Sequence, residues 1–197
     1  TVRLQIGDGV KSTLAANVIG RKAQATVSVP ELYSLSVSDV SAQVVDRAGS
    51  QGERALILAL SDAVRDRDLT KAVKAWLLPQ HDPRAAAAAS DDEFTAWDSG
   101  NIDQSVMQRA VPLSLTLNDA EQQYQPQFSF KFNAPAKRYL LVAIDATMTS
   151  AGGYKMPEKV WRVVQVPDYP KLLQFAAQGA LLSVNGDKRI SVAARNV

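Results

Sequence analysis

The sequence predicts an all-β fold, an antiparallel β-sandwich with one short inserted helix. Three observations predict it. Apolar residues recur at every second position in run after run, the period that sends alternate side chains to opposite faces of a strand. About ten such runs are separated by turns rich in glycine, proline and asparagine. Nowhere do strands alternate with helices in the manner that builds a parallel sheet.

Val2, Leu4 and Ile6 face one way and Arg3 and Gln5 the other, before a turn at Gly7-Asp8-Gly9. Ala23 to Val29 alternates again until Pro30 and Glu31 break it. Val37 to Val45 forms the next strand, with Val40, Ala42 and Val44 in period. A polar turn over Arg47 to Gly52 leads to Ala55–Leu60, which is apolar at nearly every position and so belongs at the centre of a sheet. A helical turn over Asp66 to Thr70 and a strand over Ala72 to Leu78 follow, stopped by Pro79.

Pro83 to Gly100 is the least regular stretch, with alanine at 85–89 followed by Ser90, Asp91, Asp92 and Glu93. The inserted helix begins near Asn101, the expected N-cap, with Asp103 at the positive end of the dipole. Ile102, Val106 and Met107 form its apolar stripe, and Pro112 ends it. Leu113, Leu115 and Leu117 then alternate as one strand, and Phe128, Phe130 and Phe132 as another whose rings face the core. Tyr139–Ile144 and Val160–Val166 are strands separated by a Gly152-Gly153 turn. Pro167-Asp168-Tyr169-Pro170 reads as a stiff connector. Leu181–Val184 and Ile190–Ala193 flank Asn185-Gly186, a hairpin signal.

Composition excludes several chemistries. Twenty-two basic and 20 acidic residues leave a net charge of +2, too little to draw nucleic acid or an anionic membrane. No stretch reaches the ~18 apolar residues that span a bilayer. There is no cysteine, hence no disulfide, thiolate metal site or cysteine nucleophile. His81, the lone histidine, reads as an exposed loop residue. No Gly-x-Ser-x-Gly elbow or serine–lysine pair is present, and Asp91-Asp92-Glu93 lacks the spacing of a cation loop. No catalytic, cofactor-binding or metal-ligating residue is assigned, no cofactor is expected, and the chain is read as a non-enzyme. Trp76 and Trp161 lie in strand patterns and read as core. Trp97, in the irregular stretch, is the candidate partner contact.

Several phrases, in order, carry a resemblance. They are Leu32-Tyr33-Ser34-Leu35-Ser36-Val37-Ser38-Asp39-Val40, Ala75-Trp76-Leu77-Leu78-Pro79 and Phe128-Ser129-Phe130-Lys131-Phe132. Arg138-Tyr139-Leu140-Leu141-Val142, Gly152-Gly153-Tyr154, Val164-Gln165-Val166-Pro167-Asp168-Tyr169-Pro170 and Gly179-Ala180-Leu181-Leu182-Ser183 continue it. Together they resemble the amino-terminal, macroglobulin-like region of the bacterial alpha-2-macroglobulin family. The resemblance implies a non-catalytic scaffold fragment of a long, periplasmic, protease-trapping inhibitor built from tandem macroglobulin-like sandwiches. Its partners would be neighbouring domains of the same longer chain and the target proteases of the parent, with no nucleic acid and no membrane insertion of this segment. The family's Cys-x-Glu-Gln thioester cannot lie here, because there is no cysteine. The alternative function is an envelope sandwich that binds a protein or glycan through loops near Trp97 and His81.

Residues 37–167 are expected to form one macroglobulin-like sandwich with an insertion near 83–110. Residues 1–36 and 171–197 are expected to be flanking strands, as the resemblance implies for a segment of a longer protein. Either they belong to neighbouring domains, or the two ends pair with each other as a second small domain. Unpaired strand edges invite aggregation, which favours the pairing of the ends.

Overall fold

The computed structural model describes residues 1–7, 11, 13–14, 22–45, 52–85, 94–118, 122–175 and 192–195. The Gly7-Asp8-Gly9 and 47–52 turns, the alanine run with Asp91-Asp92-Glu93, the 181–184 strand and the Asn185-Gly186 turn lie wholly or mostly outside them.

The strands are β1 (Val2–Ile6), β2 (Ala23–Val27), β3 (Val37–Val45), β4 (Glu53–Arg65), β5 (Val73–Leu77) and β6 (Val111–Leu113). β7 (Thr116–Leu117), β8 (Tyr124–Lys131), β9 (Tyr139–Ile144), β10 (Val160–Gln165), β11 (Leu172–Phe175) and β12 (Val192–Arg195) complete them. Among the described residues two helices, α1 (Asp66–Ala72) and α2 (Gln104–Met107), interrupt the series, and every strand pair is antiparallel.

Two four-stranded sheets, β3-β4-β8-β7 and β10-β9-β5-β6, face each other. The dense apolar run sits in β4, between β3 and β8, as its composition requires. One continuous core joins the sheets: Leu56, Leu58, Phe128 and Phe130 from the first meet Val73, Ala75, Leu140, Val142 and Ile144 from the second. Phe132 packs beside them, so all three rings of the period-two series are core.

The Leu113–Leu117 run is two strands, in different sheets. β6 pairs with β5, whereas β7 pairs with β8. Leu113, Leu115 and Leu117 still face one core, so the alternation survives the change of sheet. Periodicity reports which side of a strand is apolar, and a corner strand keeps that side while changing its ladder.

At one pole of the sandwich the chain turns sharply between β9 and β10. Gly153 adopts φ +83°, the left-handed conformation glycine tolerates. A Cβ at Gly152 would lie 2.6 Å from the Tyr154 ring and 2.9 Å from an Asp62 carboxylate oxygen. The Ser150 hydroxyl, hydrogen-bonded to Asp62, holds that carboxyl below its ordinary range against the opposing effect of desolvation. Gly152→Ala is therefore expected to cost about 1–3 kcal/mol through overpacking, read as a lowered thermal midpoint; an unchanged midpoint would show that Tyr154 moves aside freely.

Entrance and exit lie at opposite poles. The segment before β3 is tied to the Gly152 pole, where Lys155 N–H donates to Leu32 O (2.8 Å) and Ser61 N–H to Ser36 O (2.9 Å). The segment after β10 is tied to the far pole, where the Arg54 guanidinium donates to Pro167 O at 3.0 Å and Ala134 O at 2.9 Å. Arg54 also stacks 4.2 Å from the centre of the Tyr169 ring. Ser61 and Arg54 lie seven residues apart on β4, so the poles are separated by roughly 23 Å at about 3.3 Å per residue. The physical reason is parity. Counting β6–β7 as one pass, seven antiparallel passes run from β3 to β10 among the described residues, and an odd number ends at the pole opposite its start.

Each flank pairs within itself. β1 pairs with β2 from Val2↔Val27 to Ile6↔Ala23, and β11 with β12 from Leu172↔Arg195 to Phe175↔Val192. Among the described residues no ladder joins one flank to the other. On β1–β2, Val2, Leu4, Ile6 and Val27 share one face, and that face is exposed.

Candidate interaction surface

Strand period decides which residues β5, β9 and β10 present outward. Val73, Ala75, Leu140, Val142, Ile144 and Val164 point into the sandwich. The intervening positions Lys74, Trp76, Leu141, Ala143, Trp161 and Val163 therefore form the outer face. Register aligns Trp76 with Leu141 and Trp161 with Ala143, so the two indoles flank β9 diagonally. Their ring centres are 6.1 Å apart at 32°, and Ala143 is buried. Only a small residue at that position leaves room for rings leaning in from both sides.

This corrects the sequence reading of Trp76 and Trp161 as core. Trp161 is 40 % exposed and Trp76 half-buried. The signal was present, since Trp76 is out of phase with Val73, Ala75 and Leu77. Indole size suggested burial, whereas period set direction.

One end of this outer face is covered by the insertion that follows β5. Leu78, Trp97, Val106 and Leu141 form a second buried cluster, with Ile102, Met107, Tyr139 and Val163 packed around it. Trp97, the residue expected at a partner surface, is 5 % exposed and its indole N–H donates to Pro79 O at 2.9 Å. Its ring is the insertion's own anchor on the sheet. A tryptophan in an irregular sequence looks free because sequence cannot show what folds beneath it.

Polar contacts hold the insertion in place. Thr95 N–H donates to Gln80 O (2.9 Å), and Asp82 N–H to Thr95 Oγ1 (2.8 Å). Arg84 donates to Asp82 at 2.7 Å, to Asp103 at 3.0 Å and to Asn101 O at 3.0 Å. The Arg138 guanidinium, its pKa lowered by burial, donates to Leu78 O. His81 is half-buried, with Nδ1 shielded from solvent and without a hydrogen-bond partner among the described residues. It is not the fully exposed loop residue expected.

The N-cap of α2 is Asp103, not Asn101. Its carboxylate accepts from the Ser105 and Val106 N–H groups, while Asn101 Oδ1 accepts from Asp98 N–H in the preceding turn. An anionic acceptor wins the cap because it also pairs with Arg84. The Ser105 hydroxyl, the Val106 amide and Arg84 lower the Asp103 pKa from 3.8 to about 2. A depressed carboxyl contributes stability above its unfolded pKa and loses that contribution as pH falls through its folded value. Ser105 and Val106 amides are expected to lose exchange protection between pH 4 and pH 2, and Asp103→Asn to remove the pH dependence. Hydrogen exchange reads both, and an unaltered profile in the variant would contradict this role.

Between the insertion and β10 runs a groove of about 690 Å3, lined by Ile102, Asp103, Met107, Leu141, Glu158 and Trp161 among others. Lys159 sits 4.5 Å from the Trp161 ring centre and 2.9 Å from Asp145, which Lys74 approaches at 4.0 Å. Among the described residues no group of three or more His, Cys, Asp and Glu is placed to hold a metal ion. The surface is suited to contact through apolar area, aromatic faces and a charged rim.

The described residues thus form an antiparallel, seven-pass sandwich with a helical insertion on one outer face. No family model matches the chain. It is 52 % identical over 198 residues to an alpha-2-macroglobulin homolog of Yersinia pestis, the match covering 100 % of this chain and 10 % of that protein. It is 28 % identical over 195 residues to the alpha-2-macroglobulin of Pasteurella multocida, covering 99 % of this chain and 10 % of the relative. A crystal structure of native alpha-2-macroglobulin from Escherichia coli, spanning domains MG0-NIE-MG1, aligns with a TM-score of 0.46 and 16 % identity, over 83 % of this chain and 41 % of that one. The chain is a homologue of a segment of the bacterial alpha-2-macroglobulins. It spans about one tenth of the length of the relatives it matches.

Proposed function

We propose that this chain is a non-catalytic scaffold segment of a periplasmic, protease-trapping inhibitor of the alpha-2-macroglobulin type. The observation that carries the reading is 52 % identity along the whole chain to an alpha-2-macroglobulin homolog. Residues 37–167 would be one macroglobulin-like module, and the flanks would contribute strands to the modules on either side. Its mechanical role would be spacing. With connections at opposite poles, the sandwich is an in-line rod of roughly 23 Å, and the Arg54–Pro167–Tyr169 and Leu32–Lys155 contacts limit swivelling at its ends. No helix among the described residues is long and apolar enough to cross a membrane.

The experiment is to digest the full-length parent with a broad-specificity protease and follow its hydrodynamic radius and the protease retained. Compaction with retention is expected. Cleavage with neither would overturn the trapping role.

A second reading, an envelope module for a protein or glycan partner, is favoured by the groove beside Trp161. Quenching or shift of tryptophan fluorescence in the intact parent by a neutral oligosaccharide, abolished in Trp161→Ala, would support it.

A further inference from the structure

The two outer faces of the sandwich differ in kind. On the β3-β4-β8-β7 sheet the central strand turns Ala55, Ile57 and Ala59 outward, and the strands beside it turn out Asp39, Gln43, Gln127, Ser129 and Lys131, so small apolar residues are ringed by polar ones. On the β10-β9-β5-β6 sheet the outward positions are mainly apolar and aromatic. The insertion covers the Leu78–Leu141–Val163 end of that face, while no described residue packs over the Trp76–Trp161 pair at its other end. Exposed apolar patches of this kind on folded domains mark interaction sites.

We propose that the Trp76–Trp161 half of this face is the docking site for another domain of the same polypeptide, one that offers an apolar patch with an acidic rim. The proposal rests on the reading that the chain is a segment of a long protein. Three observations select that occupant. The face already serves as an interface at its other end, so a second covering domain would continue an existing apolar contact. Lys159, 4.5 Å from the centre of the Trp161 ring and 2.9 Å from Asp145, sets an ammonium group at the rim of the bare half for an acidic residue to meet. The chain spans a tenth of its relatives, so most of the polypeptide lies outside it. A covalently linked partner acts at an effective concentration near millimolar, where a contact centred on two tryptophans suffices without high intrinsic affinity.

Because this segment holds no cysteine, single cysteines placed in it can be followed by maleimide labelling of the full-length parent, read peptide by peptide by mass spectrometry. Lys74→Cys lies on the bare half, where the native side chain is 59 % exposed, and Gln43→Cys lies exposed on the opposite sheet. Rates are normalised to the urea-unfolded parent. A docked face that opens about a tenth of the time predicts labelling at position 74 about tenfold slower than at position 43. Adding Trp161→Ala is expected to bring position 74 up to the rate of position 43. Equal rates without that change would overturn the proposal, as would slow labelling at both positions, which means general shielding. Protection that disappears on dilution would assign the face to a second copy and overturn it as well. None of these rates depends on protease retention, so a parent that traps nothing would leave the docking result standing.

Discussion

Phe130→Ala is expected to destabilise the protein by about 3–5 kcal/mol, the cost of emptying a fully buried aromatic site whose surroundings cannot collapse. Phe130 lies on β8, in register with Leu56 on one side and Leu117 on the other. It shares the core with the second sheet, so its removal weakens both the β8 ladder's packing and the sheet-to-sheet contact. With a urea m-value of about 2 kcal/mol/M, the unfolding midpoint should fall by about 2 M. Gln127→Ala, an exposed change three residues earlier on the same strand, should stay within about 0.5 kcal/mol of the parent. A Phe130→Ala midpoint close to that of Gln127→Ala would mean that the two sheets do not share a core.

Trp97→Ala and Trp161→Ala should separate by a similar margin. Trp97 is buried between the insertion and the sheet and hydrogen-bonded through its indole, so its loss should cost about 3–5 kcal/mol. The cost should concentrate in residues 94–110, seen as lost amide protection there before the sandwich opens. Trp161 stands half in water beside Trp76, and its loss should cost about 1 kcal/mol, the scale of one aromatic contact. Urea unfolding with hydrogen exchange measures both. The reverse order would return Trp97 to the surface and Trp161 to the core, as residue type and local pattern suggest. Taken with the labelling experiment, the pair assigns each tryptophan its place. Trp97 holds the insertion to its own sheet, while Trp76 and Trp161 face outward.

Much of the sandwich was legible because one apolar face per strand forces a strict period. Val37–Val45 emerges with the bounds read from alternation, and Tyr139–Ile144 likewise. The α1 turn followed by a strand was legible from Pro79 and the surrounding β-rich pattern. The helix cap was not, because Asn101 and Asp103 are both competent caps, and Arg84, 19 residues before Asp103, reinforces only the latter. The outward placement of Trp76 and Trp161 was missed for a related reason. Residue type alone says that tryptophan prefers burial, but not whether its own sheet, an insertion or another domain supplies the cover.

By itself, the sequence determined the all-β class, the central place of the Ala55–Leu60 run, the inward phenylalanines and the kinship with alpha-2-macroglobulins. These follow from local periodicity and from residue identity. Only the tertiary structure decided that the Leu113–Leu117 run serves two sheets, that Trp97 is core while Trp161 is surface, and that the chain leaves at the pole opposite its entrance. Each of these depends on contacts between residues far apart in the chain, and a period-two pattern reads the same whichever partner fills its apolar face.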